Sequence, residues 1–234
     1  MDHHDHVELL RDGVIGAGAT WADLGSGTGA FTLALAELLG PGGTIFSVDW
    51  DARALLDQAR AMADRYPEVT LHQQVADFTG ELRLPPLDGV VMANSLHFIR
   101  DKLPVLRAVR ERIRDGGRFV LVEYDADAGN QWAPHPVSAQ RWLSLASQAG
   151  LSDTRIIGRV PSRFLDSIYA AVSVRTLARP PSRAAVDASQ AGVVTPEPPD
   201  RAGQDPSDGQ SASGAGPLTA ERWARGDSPV VAPA

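Results

Sequence analysis

The chain has 234 residues, a net charge of −7 and no cysteine, a length that suffices for one well-buried α/β domain and an appendage. The acidic balance argues against a nucleic-acid surface, which needs clustered Lys and Arg, and the missing cysteines exclude disulfides, thiolate metal sites and thiol catalysis. No basic-then-apolar leader opens the sequence and no run reaches the length of a membrane span, so the expected setting is cytoplasmic, with no membrane partner.

Taken in order, Asp5 to Gly13 reads as a short helix, with Val7, Leu9 and Leu10 as a narrow apolar face and Gly13 as its stop. His3, His4 and His6 lack the i, i+4 partners of a metal site and are expected to be solvated. Gly16-Ala17-Gly18 follows no strand, and Trp21 stands where a third glycine would fall. The stretch from Thr20 to Phe31 is different. An apolar run closes on Asp23, Gly25, Gly27 and Gly29 follow at alternate positions, and Ala30 to Leu39 has helical spacing. Strand, tight turn and helix in this order bring backbone N–H groups close to a ligand, so the turn is built for a nucleotide-like molecule. Gly25-x-Gly27-x-x-Ala30 also fits the loose dinucleotide pattern, so a nicotinamide dinucleotide, another nucleotide-like ligand and a purely structural turn are all open here.

Thr44 to Asp49 reads as a second strand ending in a carboxylate 24 residues after Gly25, where both ribose hydroxyls can be accepted. Asp51 can cap the helix from Asp51 to Arg65, which leaves Asp49 free, and Trp50 covers the strand end. Val69 to Val75 is a third strand, and Asp77-Phe78 supplies a third acidic strand end. Asp88 to Asn94 is near-continuously apolar, as in a parallel strand buried on both faces, and runs into Ser95-Leu96-His97-Phe98. A helix from Asp101 to Arg114, the turn Asp115-Gly116-Gly117-Arg118 and a strand from Phe119 to Tyr124 come next. The polar, aromatic, proline-bearing stretch from Asp125 to Pro136 is a candidate substrate lid. A helix from Val137 to Ala149 precedes strands from Asp153 to Val160 and from Phe164 to Val174, whose short link predicts an antiparallel pair. Beyond Leu177 the composition turns to Pro, Ala, Gly, Ser and Asp without hydrophobic period. The expected organisation is a domain over 1–178 and a disordered tail over 179–234.

The form Asp-x-Gly-x-Gly-x-Gly from Asp23 to Gly29, with Asp49, Asp77, Asn94 and the closing strand pair, resembles the class I S-adenosylmethionine-dependent methyltransferases over about residues 5 to 177. The resemblance implies a Rossmann-like three-layer α/β sandwich whose seven-stranded, mostly parallel sheet has the order 3-2-1-4-5-7-6 with the last strand antiparallel. It implies S-adenosylmethionine as cofactor. Gly25, Ser26, Gly27 and Gly29 would wrap its methionine half, with Asp23 helping to hold the ammonium group. Asp49 would take the ribose, Trp50 would flank the adenine, Asp77 and the backbone of Phe78 would read it, and Asn94 would line the site from the fourth strand.

The strand end at Asn94 lacks the two prolines and aromatic of amide- and amine-modifying members. It looks more like the small-molecule enzymes, including the ubiquinone and menaquinone biosynthesis type, which carry a His-containing strand end. The implied reaction moves a methyl group to an O, N or C nucleophile of a small-molecule acceptor. His97 and His135 are the candidate proton acceptors, with Tyr124 and Asp125 as second choices; Asn94 stands where metal-dependent members place an Asp, so no metal is expected. Two other readings stay open: an NAD(P)-dependent oxidoreductase using Gly25, Gly27 and Asp49, and a catalytically silent S-adenosylmethionine-binding protein.

Overall fold

The computed structural model describes residues 1–162 and 164–176; the boundary at 178 and the expected tail over 179–234 lie outside them. The elements are α1 (His3–Arg11), β1 (Thr20–Leu24), α2 (Ala30–Leu39), β2 (Thr44–Asp49), α3 (Ala52–Arg65), β3 (Thr70–Val75), β4 (Leu87–Ala93), α4 (Lys102–Arg112), β5 (Ile113–Tyr124), α5 (Ala139–Gln148), β6 (Leu151–Pro161) and β7 (Ser167–Arg175), with one 3-10 turn at Leu96–Phe98. The strands form one sheet in the order β3-β2-β1-β4-β5-β7-β6. β1 to β5 run parallel, and β7 is antiparallel to both β5 and β6. This is the expected order, including the reversed closing strand.

Burial on both faces explains why β1, β4 and the second half of β5 read as unbroken apolar runs. One face carries α1 and α2 over Trp21, Ile45, Val91, Val120 and Val122. The other carries α4 and α5 over Ala22, Val90, Met92, Phe119 and Leu121, with Trp142 of α5 stacked on Phe119 at 5.5 Å between ring centroids. Gly89 makes one central contact possible: a Cβ there would fall 2.4 Å from the ring of Trp21, its register partner across the β1–β4 pair. The crossover from β3 to β4 has no helix, and a concavity of about 370 Å³ lined in part by Phe46, His72, Arg83 and Leu84 opens beside it.

The first helix starts two residues earlier than expected because Asp2 caps it, accepting from the Asp5 amide while Asp5 returns a bond to the Asp2 amide. The expectation of solvated histidines is corrected for two of the three. His6 is buried against Phe31, with ring centroids 4.7 Å apart, and burial lowers its pKa. His3 bonds Glu37 at 2.8 Å and Tyr66 at 3.1 Å. Arg118 and Arg155 donate to the backbone carbonyls of Asp12 and, for Arg118, Gly13, which places positive charge at the carboxyl end of α1. The fifth strand begins at Ile113 rather than Phe119, because Asp115–Gly117 form an irregularity inside it where the register with β4 shifts. Among the described residues, no helix is long and apolar enough to cross a membrane.

Gly89→Ala tests this packing. Overfilling the Trp21 contact is expected to cost about 1–3 kcal/mol of stability in urea unfolding, with a shifted near-ultraviolet signal from Trp21.

Candidate active site

The carboxyl ends of β1, β2 and β4 meet around the glycine turn. Gly25 has φ +77°, and a Cβ on it would lie 2.4 Å from Ser95 Cβ and 3.2 Å from the ring of Phe78. Only glycine lets the loops after β1 and β4 close to this distance. At Gly27 a Cβ would meet nothing within 4 Å, so this part of the turn faces open space. Gly29 serves as the N-cap of α2 and packs on Gln58 of α3.

Beneath the turn runs a buried chain of polar side chains. Gln58 Nε2 donates to Thr32 Oγ1 at 2.9 Å, and Thr32 donates to Asp23 Oδ2 at 2.6 Å. Gln58 Oε1 accepts from Ser47 at 2.7 Å and from Gln73 Nε2 at 2.8 Å. Ser26 lies 2.7 Å from Ser47; since the Ser47 hydrogen goes to Gln58, Ser26 is the donor. Asp23 is 1% exposed and its Oδ1 has no partner. Burial, reinforced by the charge of Asp49 and opposed by the Thr32 bond, pushes its pKa up to about 7.

Asp49 is not free. Its Oδ2 accepts from Gly27 N at 2.7 Å and its Oδ1 from Asp51 N at 2.9 Å, and it is almost wholly buried. Asp51 caps α3 as expected, accepting from the amides of Arg53 and Ala54. A capped α3 therefore did not release Asp49, because the glycine turn claims it first. Trp50, just beyond, is 63% exposed. Asp77 is exposed and accepts from Thr79 N within its own turn, and Phe78 packs partly into the core. Asn94 holds a left-handed backbone at φ 51°, and its buried Oδ1 has no partner. Asn is among the few non-glycine residues that enter this region readily.

On the opposite face of the sheet, His97 sits in the 3-10 turn after β4, 3% exposed, with Nδ1 2.9 Å from Glu123 Oε1. Glu123 is fully buried on β5 on the same face as Phe119 and Leu121, and Oε1 also accepts from Tyr124 N. The ring of Tyr124 lies 5.6 Å from that of His97, and burial followed by the Glu123 charge raises its pKa. The segment 125–138 is fastened beside this pair. His135 N donates to His97 O at 2.9 Å, and Lys102 Nζ donates to His135 O at 2.7 Å and Ile99 O at 2.5 Å. His135 itself is exposed. Desolvation lowers the pKa of Lys102, with Glu123 acting against it. Glu123, Lys102, Thr32 and Gln58 were not singled out from the sequence. For Glu123 a signal existed: a carboxylate inside the run Val120-Leu121-Val122-Glu123-Tyr124 must be buried and therefore partnered.

Residues 22–119 match the family model of a methyltransferase domain. The ribosomal RNA small subunit methyltransferase H of Acidobacterium capsulatum is 35% identical over 104 residues, covering 39% of this chain and 35% of that protein, so the match spans about a third of the relative. Among solved structures, the YcgJ protein from Bacillus subtilis aligns with a TM-score of 0.60 at 13% identity, over 75% of this chain and all of that one. A SAM-dependent methyltransferase from Aquifex aeolicus aligns with a TM-score of 0.56 at 16% identity, over 72% and 88% of the two chains. The fold of the described residues is that of the class I methyltransferases.

Because Asp49 holds two backbone amides of the turn and the α3 cap, Asp49→Asn is expected to cost about 1–3 kcal/mol in urea unfolding, leaving one amide without its acceptor.

Proposed function

We propose that this chain, whose residues 22–119 carry a methyltransferase domain, binds S-adenosylmethionine at the glycine turn and transfers its methyl group to a small-molecule acceptor. The observation that carries this reading is the charge around the turn. Gly27 N, the kind of amide a dinucleotide pyrophosphate needs, already donates to the Asp49 carboxylate, and Asp23 lies buried beneath. The Asp49 carboxylate on that amide repels a pyrophosphate, and the orphaned Asp23 oxygen below favours a ligand with an ammonium and a sulfonium. The unpartnered oxygens Asp23 Oδ1 and Asn94 Oδ1 fit the same cationic ligand. Ser26, Gly25 and Gly29 shape the turn, Asp49 and Trp50 stand at the ribose and adenine side, and Asp77 and Phe78 close it.

The cofactor supplies an electrophilic methyl carbon on sulfur. An O, N or C acceptor taking that methyl would shed a proton and would need a base to receive it. We assign this role to His97. A Glu123 carboxylate on Nδ1 fixes the tautomer with Nδ1–H as donor, which leaves Nε2 as the basic nitrogen. Tyr124 flanks the ring, and His135, held by its backbone, borders the same place from the segment 125–138. The curated relative is named for ribosomal RNA; the net charge of −7 weighs against an RNA acceptor here.

Titration calorimetry is expected to show S-adenosylhomocysteine binding and no NAD binding; the reverse would make the protein an oxidoreductase. Labelled S-adenosylmethionine offered to fractionated lysate is expected to label the small-molecule fraction and not RNA. Absence of label in every fraction would leave a silent cofactor-binding protein. On an acceptor found this way, His97→Gln, which retains a donor for Glu123, is expected to slow single-turnover transfer about 10²–10⁴-fold with unchanged S-adenosylhomocysteine affinity.

A further inference from the structure

Asp23 has an unusual set of neighbours for a buried carboxyl group. It lies on β1 between β2 and β4 and under α2 and α3. From α2 it meets Thr32, behind which stands Gln58 of α3; its register partners are Ser47 on β2 and Val91 on β4. Asp49, at the end of β2, is the charged group that acts on it, and among the described residues no basic side chain does. A carboxylate accommodates about four donors; Asp23 has one, from Thr32, and Oδ1 has none. Such a site disfavours the anion and is relieved either by a proton or by a cation.

We propose that Asp23 is a proton-linked cation sensor, neutral in the free protein and ionised when the ammonium group of the cofactor enters the turn, so that cofactor binding expels a proton. This rests on the cofactor reading above. It gives the buried polar chain a second role: Gln58 orients the Thr32 hydroxyl toward Asp23 Oδ2, ready to stabilise the anion once it forms. It also relieves the free turn of repulsion between Asp23 and Asp49. Burial pushes the Asp23 pKa up to about 7, so the coupling falls in the neutral range.

The test is calorimetry of the parent and Asp23→Asn with S-adenosylhomocysteine, in buffers of different ionisation enthalpy. The parent is expected to release a proton on binding at pH 6 and much less at pH 8, with Kd tighter at the higher pH. Asp23→Asn is expected to show neither effect. With the parent, 5′-methylthioadenosine, which lacks the amino acid moiety, is expected to release no proton. A ligand-free arm follows urea unfolding of both proteins from pH 4 to 8. The folded-state pKa is raised above the ordinary carboxylate range, so the parent is stabilised by its neutral acid at low pH and loses this as pH rises to about 7, levelling above it. Its midpoint is therefore expected to fall relative to that of Asp23→Asn. Parallel midpoints across the range would overturn the proposal, as would S-adenosylhomocysteine binding to the parent at pH 6 without proton release, which leaves the cofactor reading standing. No binding at either pH overturns the cofactor reading and the coupling with it.

Discussion

A carboxyl group buried beneath a glycine turn is the constraint on which the amino end of this domain depends. Asp23 is almost wholly buried, so the surrounding residues have to satisfy it or leave it uncharged. Thr32, Gln58, Ser47 and Ser26 do the first in part, each passing a hydrogen bond to the next across α2, α3, β2 and the turn. Removing any one of them would leave a neighbour unpaired in a dry place, where an orphaned polar group costs more than a hydrogen bond gains. The chain also fixes where the turn can sit. Ser26 is anchored to β2 through Ser47, Gly27 is drawn to Asp49, and Gly29 is pressed against Gln58.

The second polar centre belongs to the opposite face. By strand alternation Asp23 looks toward the α2 and α3 layer, whereas Glu123 looks toward α4 and α5. The two faces meet at the carboxyl ends of β1 and β4, the point where strand order reverses and ligands of open α/β sheets bind. Asn94 stands at that junction with its left-handed backbone, followed directly by Ser95, which donates to Leu24 O, and by the turn that carries His97. Lys102 is costly where it is, a buried cation in the first turn of a helix. Its bonds to the carbonyls of Ile99 and His135 show what offsets the cost: it binds the segment 125–138 to the His97 turn.

Much of this was legible in the sequence. Hydrophobic period and turn chemistry act locally and so specified the element order, while the sheet order came from the resemblance carried by the alternating glycines, the three acidic strand ends and the closing strand pair. Less legible were the boundaries near α1 and β5, where Asp2 and the Asp115–Gly117 irregularity shift the ends. His6 looked like a terminal, solvated side chain, since nothing in its own stretch announces that Phe31 will cover it.

The sequence by itself determined the fold class, the place of the glycine turn and the residue types available to a ligand. Which polar atoms meet was decided only by tertiary structure. The pairs Asp23–Thr32, Ser47–Gln58 and His97–Glu123 are separated by 9, 11 and 26 residues, and Gly27 N reaches Asp49 across 22. Their side chains acquire partners when strands and helices pack, and burial then sets their charge. Spacing along the chain encodes the first kind of information. The second depends on distances and dielectric environment that exist only after the chain has folded.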